Sequence, residues 1–375
     1  MNLKRALRWS ALAVSLALLV AAFVAYRTSG NACDDRSAAA PASPMQAIVY
    51  CDYGSADVLK LEDIEKPTPG DDDVLVRVRA AALNPLDWHY MRGTPYIMRM
   101  ETGLRKPKVT RLGVDFAGTV EAVGKNVTQF KPGDDVFGGR TGAFAEYVTV
   151  RQDRSVVLKP RNLTFEQAAS VPVAAITALQ GLRDEGNVQP GQKVLINGAS
   201  GGVGTFAVQI ARSFGADVTG VCSTRNLDMV RSIGAGRVVD YTKEDFTRVD
   251  ERYDVVLDNV GNRSLLDVRH VMNPEGKYIL IGGGGPDDGR WIGPLIKPIK
   301  AVVLSWFVRQ DMGMHLAELN REDLTVLRDL MQAGKVTPVI DRTYPLSEVP
   351  EAIRYLETGR ARGKVVITLE QPGTE

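Results

Sequence analysis

Val203, Phe206, Ala207, Ile210 and Ala211 recur at i, i+3, i+4, i+7 and i+8, the spacing of one helix face. Just upstream, Val194-Leu195-Ile196 is an apolar run short enough to be a buried strand. A glycine cluster, Gly198, Gly201, Gly202 and Gly204, separates the two. Further on, Asp217–Cys222, Val238–Tyr241, Tyr253–Gly261 and Lys277–Gly283 are short and apolar. Strands of that kind suit a parallel sheet covered on both faces.

The chain before residue 160 reads differently. Gln46–Tyr50 is apolar enough for a strand, and Val74–Arg79 alternates with period two. Pro67, Pro69, Gly70 and three aspartates make the turn between them. Short strands punctuated by Gly and Pro continue through Gly113–Gly124 and Phe130–Phe137, the pattern of a small β-rich domain. Leu163–Gln180 carries a helix. At the far end, Leu324, Leu327, Leu330 and Met331 mark a helix face ending at Gly334. Val336–Tyr344 reads as a strand, Val349–Leu356 as a short helix, and Gly363–Ile367 as a closing strand.

Strand, glycine turn and helix are the context that a dinucleotide-binding loop requires. Glycines let the backbone turn tightly and approach a pyrophosphate, and the N–H groups of the new helix then face the phosphates. The spacing is G-x-x-G-x-x-G, so Gly198, Ser200, Gly201, Gly202, Val203 and Gly204 are the candidate cradle. An NAD site places an acid about twenty residues on, for the ribose 2′-hydroxyl. Here no acid occurs between Val218 and Leu227; Ser223, Thr224 and Arg225 stand there instead. Hydroxyls and a guanidinium suit a 2′-phosphate, so the expected cofactor is NADPH. Ser223 also suits the cap of the helix that follows. Asn259 and Gly282 fall at carboxyl ends of strands, where such sheets bind ligands.

Composition alters this picture little. The chain has 375 residues, 44% hydrophobic and 24% charged, enough for two or three ordinary globular domains. The net charge of +1 gives no electrostatic case for nucleic acid. Cys33, Cys51 and Cys222 are widely spaced and odd in number, which argues against a disulfide framework or a structural metal site.

The amino terminus stands apart. Lys4, Arg5 and Arg8 precede 18 uncharged residues, Trp9 to Tyr26, followed by an Ala/Ser/Pro-rich linker. The run reads as a single membrane-spanning anchor whose side is left open, since flanking positive charges differ by one. A cleaved export signal is one alternative. A lipoprotein is a weaker one, since Gly30-Asn31-Ala32 before Cys33 is a poor match to a lipidation pattern, and a natural start at Met45, which would leave the enzyme cytoplasmic, is the last. The apolar stretch Trp291–Val308 contains two prolines and two lysines, which argue against a second span. Packing, a lid over the pocket or a membrane-resting surface are its readings.

Four motifs occur in order: N-P-x-D-x-x-x-x-R-G from Asn84, G-x-D-x-x-G-x-V-x-x-V-G from Gly113, K-P-G-D-D-V-F from Lys131, and the glycine loop. Together they resemble the medium-chain dehydrogenase/reductase superfamily. The chain is most similar to the zinc-free quinone oxidoreductases, including the reticulon-interacting mitochondrial-type members. The resemblance covers residues 45–370. It implies an α/β protein, a GroES-like β domain with an inserted Rossmann domain whose doubly wound parallel sheet binds the cofactor. The divisions expected are an N-terminal segment 1–44, a substrate domain 45–170, a cofactor domain 171–311, and a return to the first domain over 312–372.

The resemblance also implies roles. Asn84 would lie near nicotinamide and substrate, with Asp87 close by; these two are the catalytic candidates, and Asp87 also suits a capping role. Thr177 would face the nicotinamide, though a threonine inside a helix also bonds back to its own turn. Tyr241 would meet the phosphate end of the adenosine. Zinc-dependent relatives carry a cysteine where Asn84 stands and a histidine where Val114 stands. Without those ligands no catalytic metal is expected. His89 and Tyr90 read as packing residues, and Asp115 as a turn residue. Arg362 and Lys364 read as solvated bases within reach of the cofactor.

The expected activity is zinc-independent, NADPH-dependent hydride transfer to quinones or activated α,β-unsaturated carbonyls. The alternative is a membrane-tethered nucleotide-binding scaffold that keeps the fold without turnover. The expected partners are a small quinone or enone, the membrane through residues 9–26, a second copy of the chain in a homodimer, and no nucleic acid.

Overall fold

The computed structural model describes residue 33, residues 40–282, residue 291 and residues 293–369. The chain opens with a two-stranded antiparallel sheet, β1 (Pro44–Val49) and β2 (Lys60–Glu65). A larger sheet follows from β3 (Asp73–Ala82), β4 (Asp115–Val123), β5 (Asp135–Gly139), β6 (Tyr147–Arg151) and β7 (Val156–Leu158). Its neighbours are antiparallel along β3-β4-β5-β7, and β6 pairs with β3.

β3 positions the site. Val74, Val76 and Val78 face one hydrophobic core. The register shifts between Val78 and Ala80, and after it Ala81 and Leu83 face that core while Ala80 and Ala82 join another. An irregularity of this kind rotates a strand about its axis. The end of β3 thus runs between the two halves of the molecule and leads directly into Asn84.

The second half is a parallel sheet of β8 (Lys193–Asn197), β9 (Asp217–Cys222), β10 (Arg237–Asp240), β11 (Tyr253–Asp258), β12 (Met272–Leu280) and β13 (Asp311–Met314). The order is β10-β9-β8-β11-β12-β13, so the winding direction reverses between β8 and β11. Crossover helices cover both faces. Val194 and Ile196 of β8 face one core with the helix Gly202–Ser213, while Leu195 faces another with Phe246 and Val268. The sheet continues through Met314, past residue 311 where the sequence reading ended it.

The chain then returns. The helix Arg321–Gln332 is capped by the Asn320 side chain, which accepts from the Asp323 amide at 2.7 Å. Buried Asp323 accepts from Gln180, Arg183 and Asn320, tying this helix to Pro172–Gln180. Finally β14 (Ile340–Pro345) and β15 (Lys364–Thr368) extend the first sheet, β15 pairing antiparallel with β3.

Several expectations are corrected. Leu163–Gln180 is two helices, Phe165–Ala169 and Pro172–Gln180, because Pro172 can open a helix but not continue one. Residues 336–339 precede the strand rather than belong to it. Asp115 begins β4 instead of sitting in a turn. The cysteines are not all free: Cys33 and Cys51, which follows β1, form a disulfide with Cα atoms 5.8 Å apart. The membrane localisation is also corrected. Among the described residues no helix is long and apolar enough to cross a membrane, and residues 9–26 lie outside the described residues. The helix Gly293–Ser305 has 13 residues, about 20 Å of rise against a hydrocarbon core of about 30 Å.

Candidate active site

The glycine loop follows β8 and opens the helix Gly202–Ser213. Its three spaced glycines do different work. Gly198 has φ +77°, and a Cβ there would meet Val260 Cγ2 at 2.8 Å, so only glycine makes this turn. A Cβ on Gly204 would fall 2.1 Å from the Gly198 carbonyl oxygen, so this glycine lets the helix pack against the loop. Gly201 is extended, and a Cβ would find its nearest neighbour at 3.5 Å. That is ordinary contact, so a methyl would be tolerated here, at the point where the first helical amides lack intrahelical partners. A ligand's phosphate fits at that point.

At the end of β9, Asn226 Nδ2 donates to Ser223 Oγ at 3.3 Å and to Ser200 Oγ of the glycine loop at 3.0 Å. Thr224 is engaged otherwise. Its hydroxyl donates to Asp240 at 2.5 Å, which, with Thr242, holds that carboxyl down to about 2. Thr224 therefore braces β9 against β10, and its proton is not available to a phosphate. Arg225 donates to the Arg360 carbonyl at 2.6 Å, and Tyr241 is half exposed beside the same strand ends.

The crevice at the reversal of the sheet is braced by Asp258. Its carboxylate, buried to 1% exposure, accepts from Asn197, Tyr278 and the Gly261 amide, each at 2.8 Å, and pairs with Lys297 at 3.4 Å. Asn259 follows, donating through Nδ2 to the Asn197 carbonyl at 2.9 Å. Among the described residues its buried Oδ1 has no hydrogen-bond partner, a cost of about 1–3 kcal/mol unless something donates to it. Gly282 lies at the end of the neighbouring strand, where a Cβ would sit 3.6 Å from the Asn259 carbonyl. Thr177 donates to Val173 O at 2.7 Å, back along its own helix. Orphaned Asn259 Oδ1 at a sheet crevice, beside an open glycine cradle, fits a dinucleotide.

The polar centre lies across from this crevice. Asn84 precedes the helix Pro85–Arg92, and its backbone amide donates to Asp87 Oδ2 at 2.7 Å. Asp87 Oδ1 accepts the Gly113 amide at 3.1 Å. Asp87 thus holds the strand end and the next turn together, while burial pushes its carboxyl up to about 7 against these two donors. The Asn84 side chain turns the other way. Its Oδ1 accepts from Lys364 Nζ at 2.6 Å and its Nδ2 donates to Asp115 Oδ2 at 2.9 Å. Lys364 also reaches the Leu83 carbonyl at 2.9 Å and Asp115 at 3.3 Å. Asp115 takes a further hydrogen bond from the Val173 amide. Burial raises the Asp115 carboxyl, opposed by Lys364 and Asn84.

One side chain joins the two halves. The Gly363 amide donates to the Ser200 carbonyl at 2.8 Å, and a Cβ on Gly202 would lie 3.2 Å from Lys364 Cδ. The glycine loop and Asn84 are therefore one lysine apart. Sequence reasoning missed Asp115 and Asn226 as site residues, and it read Lys364 as a solvated base near the cofactor rather than a buried partner of Asn84. For Lys364 a signal existed: a lone base opening the apolar run Val365-Val366-Ile367 is poorly placed for solvent. His89 and Tyr90 lie apart from this trio; His89 Nδ1 engages the Thr94 carbonyl at 2.7 Å, and burial lowers its pKa. Among the described residues, no group of three or more His, Cys, Asp or Glu side chains is placed to hold a metal.

Comparisons with known proteins agree with this architecture. The family model for an alcohol dehydrogenase GroES-like domain matches residues 70–161, and that for a zinc-binding dehydrogenase matches residues 233–367. The chain is 37% identical to the 2-methylene-furan-3-one reductase of Solanum lycopersicum, over 87% of this chain and 79% of that one. It is 36% identical to the chloroplastic NADPH-dependent alkenal/one oxidoreductase of Arabidopsis thaliana, over 86% and 79%. The quinone oxidoreductase of Coxiella burnetii superposes with a TM-score of 0.76 at 31% identity, covering 88% of this chain and all of that one. With the reversed parallel sheet and GroES-like domain already in place, these likenesses show that the chain belongs to the medium-chain dehydrogenase/reductase superfamily, as a nicotinamide-dependent reductase of its quinone oxidoreductase branch.

Proposed function

We propose that this reductase uses NADPH, works without zinc, and reduces quinones or activated α,β-unsaturated carbonyls. The observation that carries the reading is the clamp on Asn84. Its oxygen accepts from Lys364 and one amide hydrogen goes to Asp115, so the hydrogen it has left to donate is its second amide hydrogen. A donor of that kind suits a carbonyl oxygen that gains charge as it is reduced. A reduced nicotinamide, when bound, supplies the hydride. The chain's own residues bind, orient and polarise: the glycine loop receives phosphate, Asn259 Oδ1 accepts a donor, and Asn84 meets the acceptor's oxygen. Quinones and conjugated enones accept hydride readily, so water or a weak acid suffices for the proton.

Zinc independence is supported by the donor set. Asn84 is a weak ligand and Val114 none, and the Lys364 ammonium already faces Asn84 and Asp115. A divalent cation beside that ammonium would meet its full repulsion. NADPH is supported by Ser223 and Arg225 where an acid would favour NAD. The names of the relatives, a furanone reductase, an alkenal/one oxidoreductase and a quinone oxidoreductase, support the acceptor class.

The test is oxidation of NADPH and of NADH by the purified chain with a panel of quinones and conjugated enones, before and after exhaustive chelation. Turnover with NADPH that survives chelation is expected. Cofactor binding without turnover of any acceptor, or activity abolished by chelation and restored by zinc, overturns the reading. Asn84→Ala is expected to lower kcat about 10- to 100-fold while the NADPH dissociation constant stays within about threefold.

A further inference from the structure

Asn226 is 4% exposed and lies between two cofactor candidates that come from different loops. Its Nδ2 has two hydrogens. One goes to Ser200 Oγ at 3.0 Å and the other to Ser223 Oγ at 3.3 Å. A serine hydroxyl that accepts a hydrogen bond still has its own proton to donate. Among the described residues no protein acceptor takes the proton of either serine. Thr224 differs, since its proton goes to Asp240. Ser200 is moreover held in place, because its carbonyl accepts from the Gly363 amide.

We infer that Asn226 is a positioning residue for the cofactor's phosphates, turning Ser200 and Ser223 into outward hydrogen-bond donors and making the second of them a reader of the 2′-phosphate. The inference rests on the NADPH reading above. An amide nitrogen is the right group for this task. It donates to both serines at once, brings no negative charge to an anion site, and keeps both hydroxyl protons free for phosphate oxygens. A carboxylate at the same place would draw both protons inward and repel the ligand. The two serines have separable consequences. Ser200 belongs to the loop that any dinucleotide meets, so its loss weakens NADPH and NADH alike. Ser223 lies where the 2′-substituent is read, so its loss weakens NADPH alone.

The experiment is equilibrium binding to the unliganded protein. NADPH and NADH are followed by fluorescence, and 2′,5′-ADP and 5′-AMP by calorimetry. Asn226→Asp is expected to weaken NADPH and 2′,5′-ADP about tenfold or more, and NADH and 5′-AMP less. Asn226→Ala should show the same order with a smaller loss. In a Ser223→Ala background, Asn226→Ala should no longer change the NADPH-to-NADH ratio. Because these are binding ratios within one protein, a general loss of stability does not mimic them. If the wild type prefers NADPH but both Asn226 variants keep the ratio unchanged, with or without Ser223, the role assigned to Asn226 is overturned and the NADPH reading stands. If the wild type binds NADPH and NADH equally, and 2′,5′-ADP no better than 5′-AMP, the NADPH reading itself falls, and this inference with it.

Discussion

The Lys364 ammonium lies 2.6 Å from the side-chain oxygen of Asn84, across 280 positions of chain. The contact closes the molecule. Lys364 opens the last strand, which pairs with β3, and Asn84 lies just beyond the end of β3. With exposures of 3% for Lys364 and essentially none for Asp115, their ion pair at 3.3 Å is fully removed from water. Removing one member of such a pair leaves the other charge uncompensated.

Lys364→Met keeps the length of the side chain and deletes its charge. We expect a loss of about 3–5 kcal/mol in stability, read by urea unfolding. Adding Asp115→Asn should restore part of it, since the stranded carboxylate is then gone. Activity should stay low in the double variant, because the Asn84 oxygen is no longer held by an ammonium.

Gly204 and Gly201 separate packing from binding. Gly204→Ala forces a Cβ onto the Gly198 carbonyl and should cost about 3 kcal/mol in stability, the upper part of the overpacking range. Gly201→Ala has room and an ordinary φ of −85°, so its stability should change by less than about 0.5 kcal/mol. Its cofactor affinity should nevertheless fall about tenfold, since the methyl enters the approach of the phosphate. Unfolding curves and cofactor titrations on both variants check the contrast.

Burial of Asp87 predicts a pH dependence. Its carboxyl is raised from 3.8 to about 7, so between these values the folded chain binds a proton that the unfolded chain does not. The stability it contributes is fully present below about pH 3.8 and is lost as pH rises through about 7. The full window amounts to about 4 kcal/mol. Asp87→Asn removes the titration. The difference in stability between wild type and variant should therefore change between about pH 5 and about pH 8, in the direction that disfavours the wild type at the higher pH. A difference independent of pH would show that Asp87 stays ionised throughout.

The cysteines should be chemically unequal. Cys222 is buried at the end of β9, and burial with the nearby Asp240 pushes its thiol up to about 11. Native, unreduced protein should give no thiol reactive toward an alkylating agent near neutral pH. Denaturation without reductant should release one thiol per chain, at Cys222. Non-reducing peptide mapping should recover Cys33 linked to Cys51. Two further thiols without reduction would rule out that link.

Much of the architecture was readable along the chain because it rests on local periodicity. Apolar runs, glycine turns and 3.6-residue spacing are properties of neighbouring residues. The strand-loop-helix around Gly198–Gly204, the β-rich first half and the Asn84 and Gly113 motifs were therefore found in order. The missing acid after β9 was legible for the same reason, since it is a distance counted along the sequence.

The polar centre was not legible in that way. Asn84, Asp115 and Lys364 come from three separate segments, and the apolar run after Lys364 signals only that the lysine is poorly placed for solvent, not which partners it meets. Only strand pairing decides it: β15 lies against β3, so the lysine that opens β15 points into the place where β3 ends. The same holds for Thr224, whose hydroxyl is consumed by Asp240 of the adjacent strand, and for Asn226, which bridges serines from two loops. Propensity and hydrophobic spacing determined which segments become strands and helices. Which polar atoms are already satisfied, and which are left to act, depends on partners brought together by burial, and that was decided by the tertiary structure alone.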